Sequence, residues 1–131
     1  MTGQRTFDEL VAEAAAQPVA GWDFSWLAGR ATEQRPSWGY SRLLRGRLTG
    51  ARAVLDIQTG GGEVLAGALR GCDDAPAAVV VTESWPPNAA LAQRALTSWN
   101  GAVVRAADAG ALPFRPESFD LVVSRHPVVV V

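Results

Sequence analysis

Three carboxylates stand where runs of apolar residues stop. Asp56 follows Ala53-Val54-Leu55, Glu83 follows the run from Ala77 to Thr82, and Asp108 closes Ala102 to Ala107. Gly60-Gly61-Gly62 lies just past the first acid. A carboxylate accepts hydrogen bonds at both oxygens. The backbone N–H groups of a glycine turn that opens a helix face outward and receive a polar ligand. Taken singly, an acid after a strand is most often a helix cap or a turn former. Three in this order, with the glycines after the first, define a set that converges on one site.

The elements needed to position these groups are legible. Ala53–Ile57 has the length and apolar character of a buried strand, and 62–70 has the spacing of a helix. Residues 77–82 form a second strand. Pro86-Pro87-Asn88 opens a helix carrying Leu91, Ala92, Ala95, Leu96 and Trp99, and 102–106 and 119–124 give a third and a fourth strand. Strands that are apolar on both faces and alternate with helices predict a parallel sheet covered by helices, the α/β architecture. Ligands of such sheets bind at the carboxyl ends of the strands.

Two helices precede the sheet. Thr6 and Glu9 have capping-box spacing at the start of a helix that runs to about Gln17, before Pro18. Ser41–Leu48 forms another, with Leu43, Leu44 and Leu48 apolar and Arg42, Arg45 and Arg47 outside. A soft boundary near residue 50 divides a helical, aromatic extension (1–50) from the α/β part (51–131).

Composition bounds the function. The 131 residues suit one domain with a core of its own, and 48% apolar with 19% charged residues argues against disorder. A net charge of −1 gives no global field for nucleic acid. All 12 basic residues are Arg, which excludes a P-loop, because that loop needs a Lys. One cysteine forms no intrachain disulfide, and no signal peptide or membrane-length apolar run is present, so a cytoplasmic protein without membrane contact is expected. No His/Cys cluster has metal-ligand spacing.

Glu83 lies roughly 20 residues past the glycine turn, the distance at which an acid ending the second strand accepts from a ribose diol. A dinucleotide fold would need G-x-G-x-x-G, yet Leu65 stands at the third glycine. Asp56 would also repel a pyrophosphate at the turn. An acid there suits a cationic ligand, and a nicotinamide-dependent reductase is disfavoured.

Val54-Leu55-Asp56-Ile57-Gln58-Thr59-Gly60-Gly61-Gly62 resembles the first motif of the class I S-adenosylmethionine-dependent methyltransferases. Glu83, Ala107-Asp108-Ala109 with Leu112-Pro113-Phe114, and Phe119-Asp120-Leu121-Val122-Val123-Ser124 resemble three further motifs in order, so the likeness covers 53 to 127. It implies a Rossmann-like sheet with helices on both faces, of which strands 1–4 are present in the order 3-2-1-4. It also implies S-adenosylmethionine as cofactor and a small-molecule methyl acceptor. By resemblance, Asp56 holds the methionine ammonium and Gly60 and Gly62 let the backbone approach. Glu83 takes the ribose, Asp108 and Ala109 take the adenine, and Gln58 and Ser124 border the cofactor. The protein's part is to align a nucleophile with the methyl group and to exclude water.

Two departures from the family stand out. Gln58 occupies the place of the motif's first glycine, where it either narrows the turn or adds a hydrogen bond. The chain also stops after the fourth strand, so strands 5 to 7, which supply much of the substrate side, are expected to be missing. That leaves the fourth strand as an edge followed by Val128–Val131. The alternative reading is therefore a non-catalytic or truncated binding module that acts as a homodimer through this edge.

Other residues carry weaker signals. His126, the single histidine, is a candidate general base, set against the blander reading of a surface His before Pro127. Arg125 is a candidate contact for an acidic substrate. The extension resembles a lid, with Trp38 and Tyr40 as candidate cofactor contacts and Trp85 as a candidate platform for the adenine. Trp22, Phe24 and Trp26 are expected to fill the core between extension and sheet. Arginines 30, 35, 42, 45, 47 and 52 could form an RNA-facing patch. A solvated helix face is the favoured reading.

Overall fold

The computed structural model describes residues 4–106 and 110–127. Asp108, Ala109 and the Val128–Val131 tail lie outside the described residues.

Four strands form one parallel sheet: β1 (Ala53–Asp56), β2 (Ala78–Thr82), β3 (Ala102–Val104) and β4 (Leu121–Val123), in the order β3-β2-β1-β4. This is the expected sheet and the expected order. Val54 pairs in register with Val79 and Leu121, and Asp56 with Val81 and Val123. Because side chains alternate across a strand, Val54, Val79, Val81, Val103, Leu121 and Val123 share one face with Asp56. Against it pack α2 (Tyr40–Leu48), α3 (Glu63–Arg70) and α4 (Pro86–Ala95), through Leu44, Leu48, Leu65, Ala66, Leu69 and Ala92. Leu55 and Val122 lie on the opposite face, where the 112–119 loop folds over them with Phe114 and Phe119 edge-to-face at 5.1 Å.

The sequence explains these elements locally. Gly62 opens α3 in the left-handed region at φ 76°. A Cβ on it would stand 3.1 Å from the Cα of Ala92, so the turn and the approach of α4 both demand glycine. Pro86 starts α4, where its missing N–H costs nothing. Asp120 clamps the entry of β4 to β1 by accepting from the backbone N–H groups of Arg52 and Ala53 at 2.8–3.1 Å.

The N-terminal part differs from its pattern. Helix α1 (Phe7–Ala15) carries the expected capping box, Thr6 N–H donating to Glu9 at 2.8 Å and Glu9 N–H to Thr6 Oγ1 at 3.3 Å. Yet Phe7, Leu10 and Val11 are exposed, and α1 gives no residue to the core. It is tied down by Glu13, which pairs with Arg5 and, at 2.9 Å, with Arg30. In α2, Leu44 and Leu48 are buried, but Leu43 is exposed. Only one side of this helix meets α3.

Candidate functional site

Asp56 ends β1 in the middle of the sheet and is 7% exposed. Thr59 Oγ1 donates to its Oδ2 at 2.8 Å. Burial raises the Asp56 carboxyl to about 6, and the Thr59 bond opposes that rise. Glu83, equally buried, stands beyond β2 and grips the turn. Its Oε2 accepts the Gly60 N–H at 2.8 Å, and its Oε1 accepts the Trp85 N–H at 2.9 Å. A carboxylate with one bond on each oxygen still has acceptor capacity for a further donor.

The turn between them is built from left-handed residues. Gly60 has φ 68° and Gly62 φ 76°, and Gln58 itself has φ 58°. Gln58 therefore adopts the backbone that a glycine would take, and its N–H donates to Thr82 Oγ1 at 3.0 Å. The substitution for the family glycine keeps the turn. Thr59 N–H donates to Thr82 O at 3.0 Å, which fixes the turn to the end of β2. Thr59 and Thr82 carry this geometry. Sequence reasoning did not single them out, because a Thr near a strand end has no spacing signal.

The aromatic segment lies elsewhere than expected. Trp22, Phe24 and Trp26 do not fill the core between extension and sheet. Phe24 is 57% exposed, and Trp26 lies under the Arg30 guanidinium at 4.6 Å. Trp22 rests on the glycine turn, where its Nε1 donates to Thr59 O at 3.0 Å. A Cβ on Gly60 would stand 2.2 Å from that nitrogen, so the indole fills the space against Gly60. Gly21 N–H donates to Asn88 Oδ1 at 2.9 Å and Trp22 N–H donates to Glu63, pinning this strap to α4 and α3. The reason is polar: an indole N–H and two amides find acceptors at the turn that an apolar core does not offer.

Two adjoining clefts result. One, of about 300 Å³, is bordered by Gln58, Gly60, Glu83, Trp22, Asn88 and His126. The other, of about 760 Å³, also reaches His126. His126 lies against Trp22 with ring centroids 4.6 Å apart and the rings tilted by 40°, and the Arg125 guanidinium lies 5.9 Å from the same indole. The Tyr40 hydroxyl is buried and has no hydrogen-bond partner among the described residues; the same holds for Ser124 Oγ. Burial first, and then the Asp56 charge, push the Tyr40 hydroxyl up to about 12, against the pull of Arg125.

Asp56, Gln58, Gly60, Gly62, Glu83, Ser124 and His126 thus gather at the carboxyl end of the sheet, whereas Asp108 and Ala109 lie outside the described residues. Trp85 is exposed and does not border either cleft. The arginines of the expected patch have different neighbours. Arg30 and Arg52 pair with Glu13 and Asp120, Arg45 lies against Gly71, and Arg35 and Arg42 border the larger cleft.

A family model described as a methyltransferase domain matches residues 55–130, more than half of the chain. The chain belongs to this methyltransferase family. Among solved structures, it is similar to the sugar N-methyltransferase KedS8 from a Streptoalloteichus species, at 24% identity and a TM-score of 0.49. That match covers 96% of this chain and 45% of that one. It is also similar to a SAM-dependent methyltransferase from Thiobacillus denitrificans in complex with S-adenosyl-L-homocysteine, at 16% identity and a TM-score of 0.48. There the match covers 79% of this chain and 44% of that one. The chain therefore spans less than half the length of these structures. No curated protein matches it.

Proposed function

We propose that this chain is the cofactor-binding part of an S-adenosylmethionine-dependent methyltransferase with a small-molecule acceptor. One observation carries the reading: a buried acid at the end of the central strand, held by Thr59, stands beside a left-handed turn gripped by a second buried acid. A fixed negative charge there suits a cationic ligand and opposes a phosphate.

The residues fit the cofactor. Asp56 would receive its ammonium, a contact that offsets the desolvation of the carboxylate. Glu83 has acceptor capacity for the ribose hydroxyls. Gly60 and Gly62 keep the turn free of side chains, and the buried Tyr40 and Ser124 hydroxyls offer hydrogen bonds that no described residue takes. Gln58 borders the smaller cleft. Asp108 and Ala109 are assigned to the adenine through the family resemblance. Once bound, the cofactor supplies a methyl group on a positively charged sulfur, which needs no acid to become electrophilic. What the chain contributes is orientation and the exclusion of water. His126, shared by both clefts, would accept the proton that an acceptor loses. The Gly21-Trp22 segment of the N-terminal extension acts as a strap over the glycine turn, while α2 belongs to the core of the binding part. Trp22 moves off Gly60 when a ligand takes that space.

Calorimetric titration with S-adenosylhomocysteine tests this reading. Saturable binding that weakens at least about tenfold in Asp56→Ala and Glu83→Ala is expected, each variant losing a charged contact. Absence of heat at millimolar ligand would sink it.

A second reading has its own observation. Within the described sheet β4 pairs with β1 alone, which leaves its other edge unpaired. A non-catalytic module that self-associates along this edge would sediment as a dimer, bind the cofactor and transfer no methyl group.

A further inference from the structure

The larger cleft holds an unbalanced set of charges. Arg35, Arg42 and Arg125 border it, and Glu33 is the one acid among its bordering residues. Neither Arg35 nor Arg42 forms an ion pair among the described residues, while Arg5, Arg30 and Arg52 all do. Three guanidiniums thus face one carboxylate in a chain whose formal charge is −1. The start of α2 opens into the same space, with Gly39, Tyr40, Ser41 and Arg42 all on its border. Gly39 offers no side-chain cap, so the first N–H groups of the helix add their positive end to the cleft. Trp38, which is exposed, and Tyr40 also border it.

The placement relative to the other cleft is what gives the charge a use. His126 borders both, and Tyr40, which borders the larger cleft, has a buried hydroxyl that feels the charge of Asp56 in the cofactor site. A molecule lying in the larger cleft would therefore meet both His126, which the cofactor cleft shares, and the guanidiniums of Arg35 and Arg42. Planar guanidinium forks match phosphate and carboxylate oxygens in pairs.

We propose that this cleft is the acceptor site and that it selects a small, ring-bearing molecule carrying an oxyanion, either phosphate or carboxylate. Arg35 and Arg42 clamp the oxyanion, Trp38 supports the ring, and the atom to be methylated points to His126. The assignment as an acceptor site rests on the methyltransferase reading above.

The test uses phenyl phosphate, benzoate and neutral benzyl alcohol as probes, and S-adenosylhomocysteine as a separate titrant. Each is titrated calorimetrically into the wild-type chain, the R35Q/R42Q double variant and an R47Q control, whose residue does not border the cleft. Saturable binding of phenyl phosphate or benzoate is expected, with benzyl alcohol at least about tenfold weaker, since only the anions engage the charged forks. The anion affinity should fall with added salt. R35Q/R42Q should lose about tenfold or more for the anions and stay within about twofold for S-adenosylhomocysteine, while R47Q matches wild type. Tighter binding of phenyl phosphate names a phosphate, tighter binding of benzoate a carboxylate, and equal binding leaves the oxyanion as the feature read. Equal affinity for the neutral probe, or no effect of R35Q/R42Q, with S-adenosylhomocysteine binding intact, overturns the inference alone. Loss of S-adenosylhomocysteine binding in the wild-type chain overturns the methyltransferase reading, and with it the acceptor role. Should the double variant fail to fold by circular dichroism, single R35Q, in the loop before α2, decides the same question.

Discussion

Replacing Asp56 by Asn should stabilise the chain at neutral pH while impairing its proposed use. The carboxyl is buried, and its value is raised from 3.8 to about 6. A raised acid prefers its proton in the folded state. Below 3.8 both folded and unfolded chains hold that proton, and the group costs nothing. Between 3.8 and about 6 the unfolded chain ionises first, so stability falls as pH rises. Above about 6 the full penalty applies, about 3 kcal/mol for this difference. Asn has nearly the same shape, can still accept from Thr59 Oγ1 and has no charge to desolvate. Allowing for an amide that is itself imperfectly satisfied, Asp56→Asn should gain about 2–3 kcal/mol at pH 7.5. At this chain length that is roughly 6–10 °C in melting temperature. Melting followed by circular dichroism at pH 4.0, 5.0 and 7.5 should show the two proteins converging at the acid end and diverging at the neutral end. A constant offset across that range would refute the reasoning, because the gain would then not come from a buried charge. In the same protein S-adenosylhomocysteine affinity should fall, so that stability and binding move in opposite directions.

Other expectations follow from single contacts. Gly62→Ala forces a Cβ to 3.1 Å from the Ala92 Cα at φ 76°, and should cost about 1–3 kcal/mol, read as a lower urea midpoint. Trp22→Ala removes the indole from the face of Gly60, and stopped-flow mixing should show S-adenosylhomocysteine associating several-fold faster. Asp120 has its carboxyl lowered, first by the Ala53 N–H and then by the Arg52 N–H. Its contribution is complete above 3.8 and is lost as pH falls through the lower folded value. Asp120→Asn should therefore flatten the acid limb of the stability profile, and hydrogen exchange at the Arg52 and Ala53 amides should quicken.

What could be read from the chain was what neighbouring residues determine. Asp56 and Glu83 were legible because apolar runs stop at them, and the glycine turn because a helical pattern starts at Glu63. That the sheet is parallel followed from strands alternating with helices, whereas its order was implied by the family resemblance. What escaped depends on distant partners. The Trp22 indole binds a carbonyl 37 residues away, and nothing near Trp22 announces that acceptor. Its aromatic neighbours suggested a core filling, whereas a polar anchor decided its place. Periodicity showed that α1 has an apolar stripe, but not that no core residue would come to cover Phe7 and Leu10. Arg42 has ordinary surface spacing on α2, and only the fold brings it beside Arg35 and Arg125. Gln58 looked like a defect in the glycine motif. Its left-handed backbone shows that the turn depends on a conformation more than on a residue type, at the modest strain a non-glycine residue bears there.

The Asp120 clamp also sets a timetable for synthesis. Its carboxylate closes on the Arg52 amide across 68 residues of chain. At ordinary translation speeds, that stretch takes roughly 3–14 s to make. Within that interval β1 gains β2 as a partner once residues 78–82 are made, but it does not gain β4. The strand that will become an inner one, Ala53–Asp56, therefore waits on the ribosome with one open, apolar edge. The nascent chain is most exposed to mispairing while its glycine turn is already made and β4 is not, and a holdase that recognises open strand edges would act in that window.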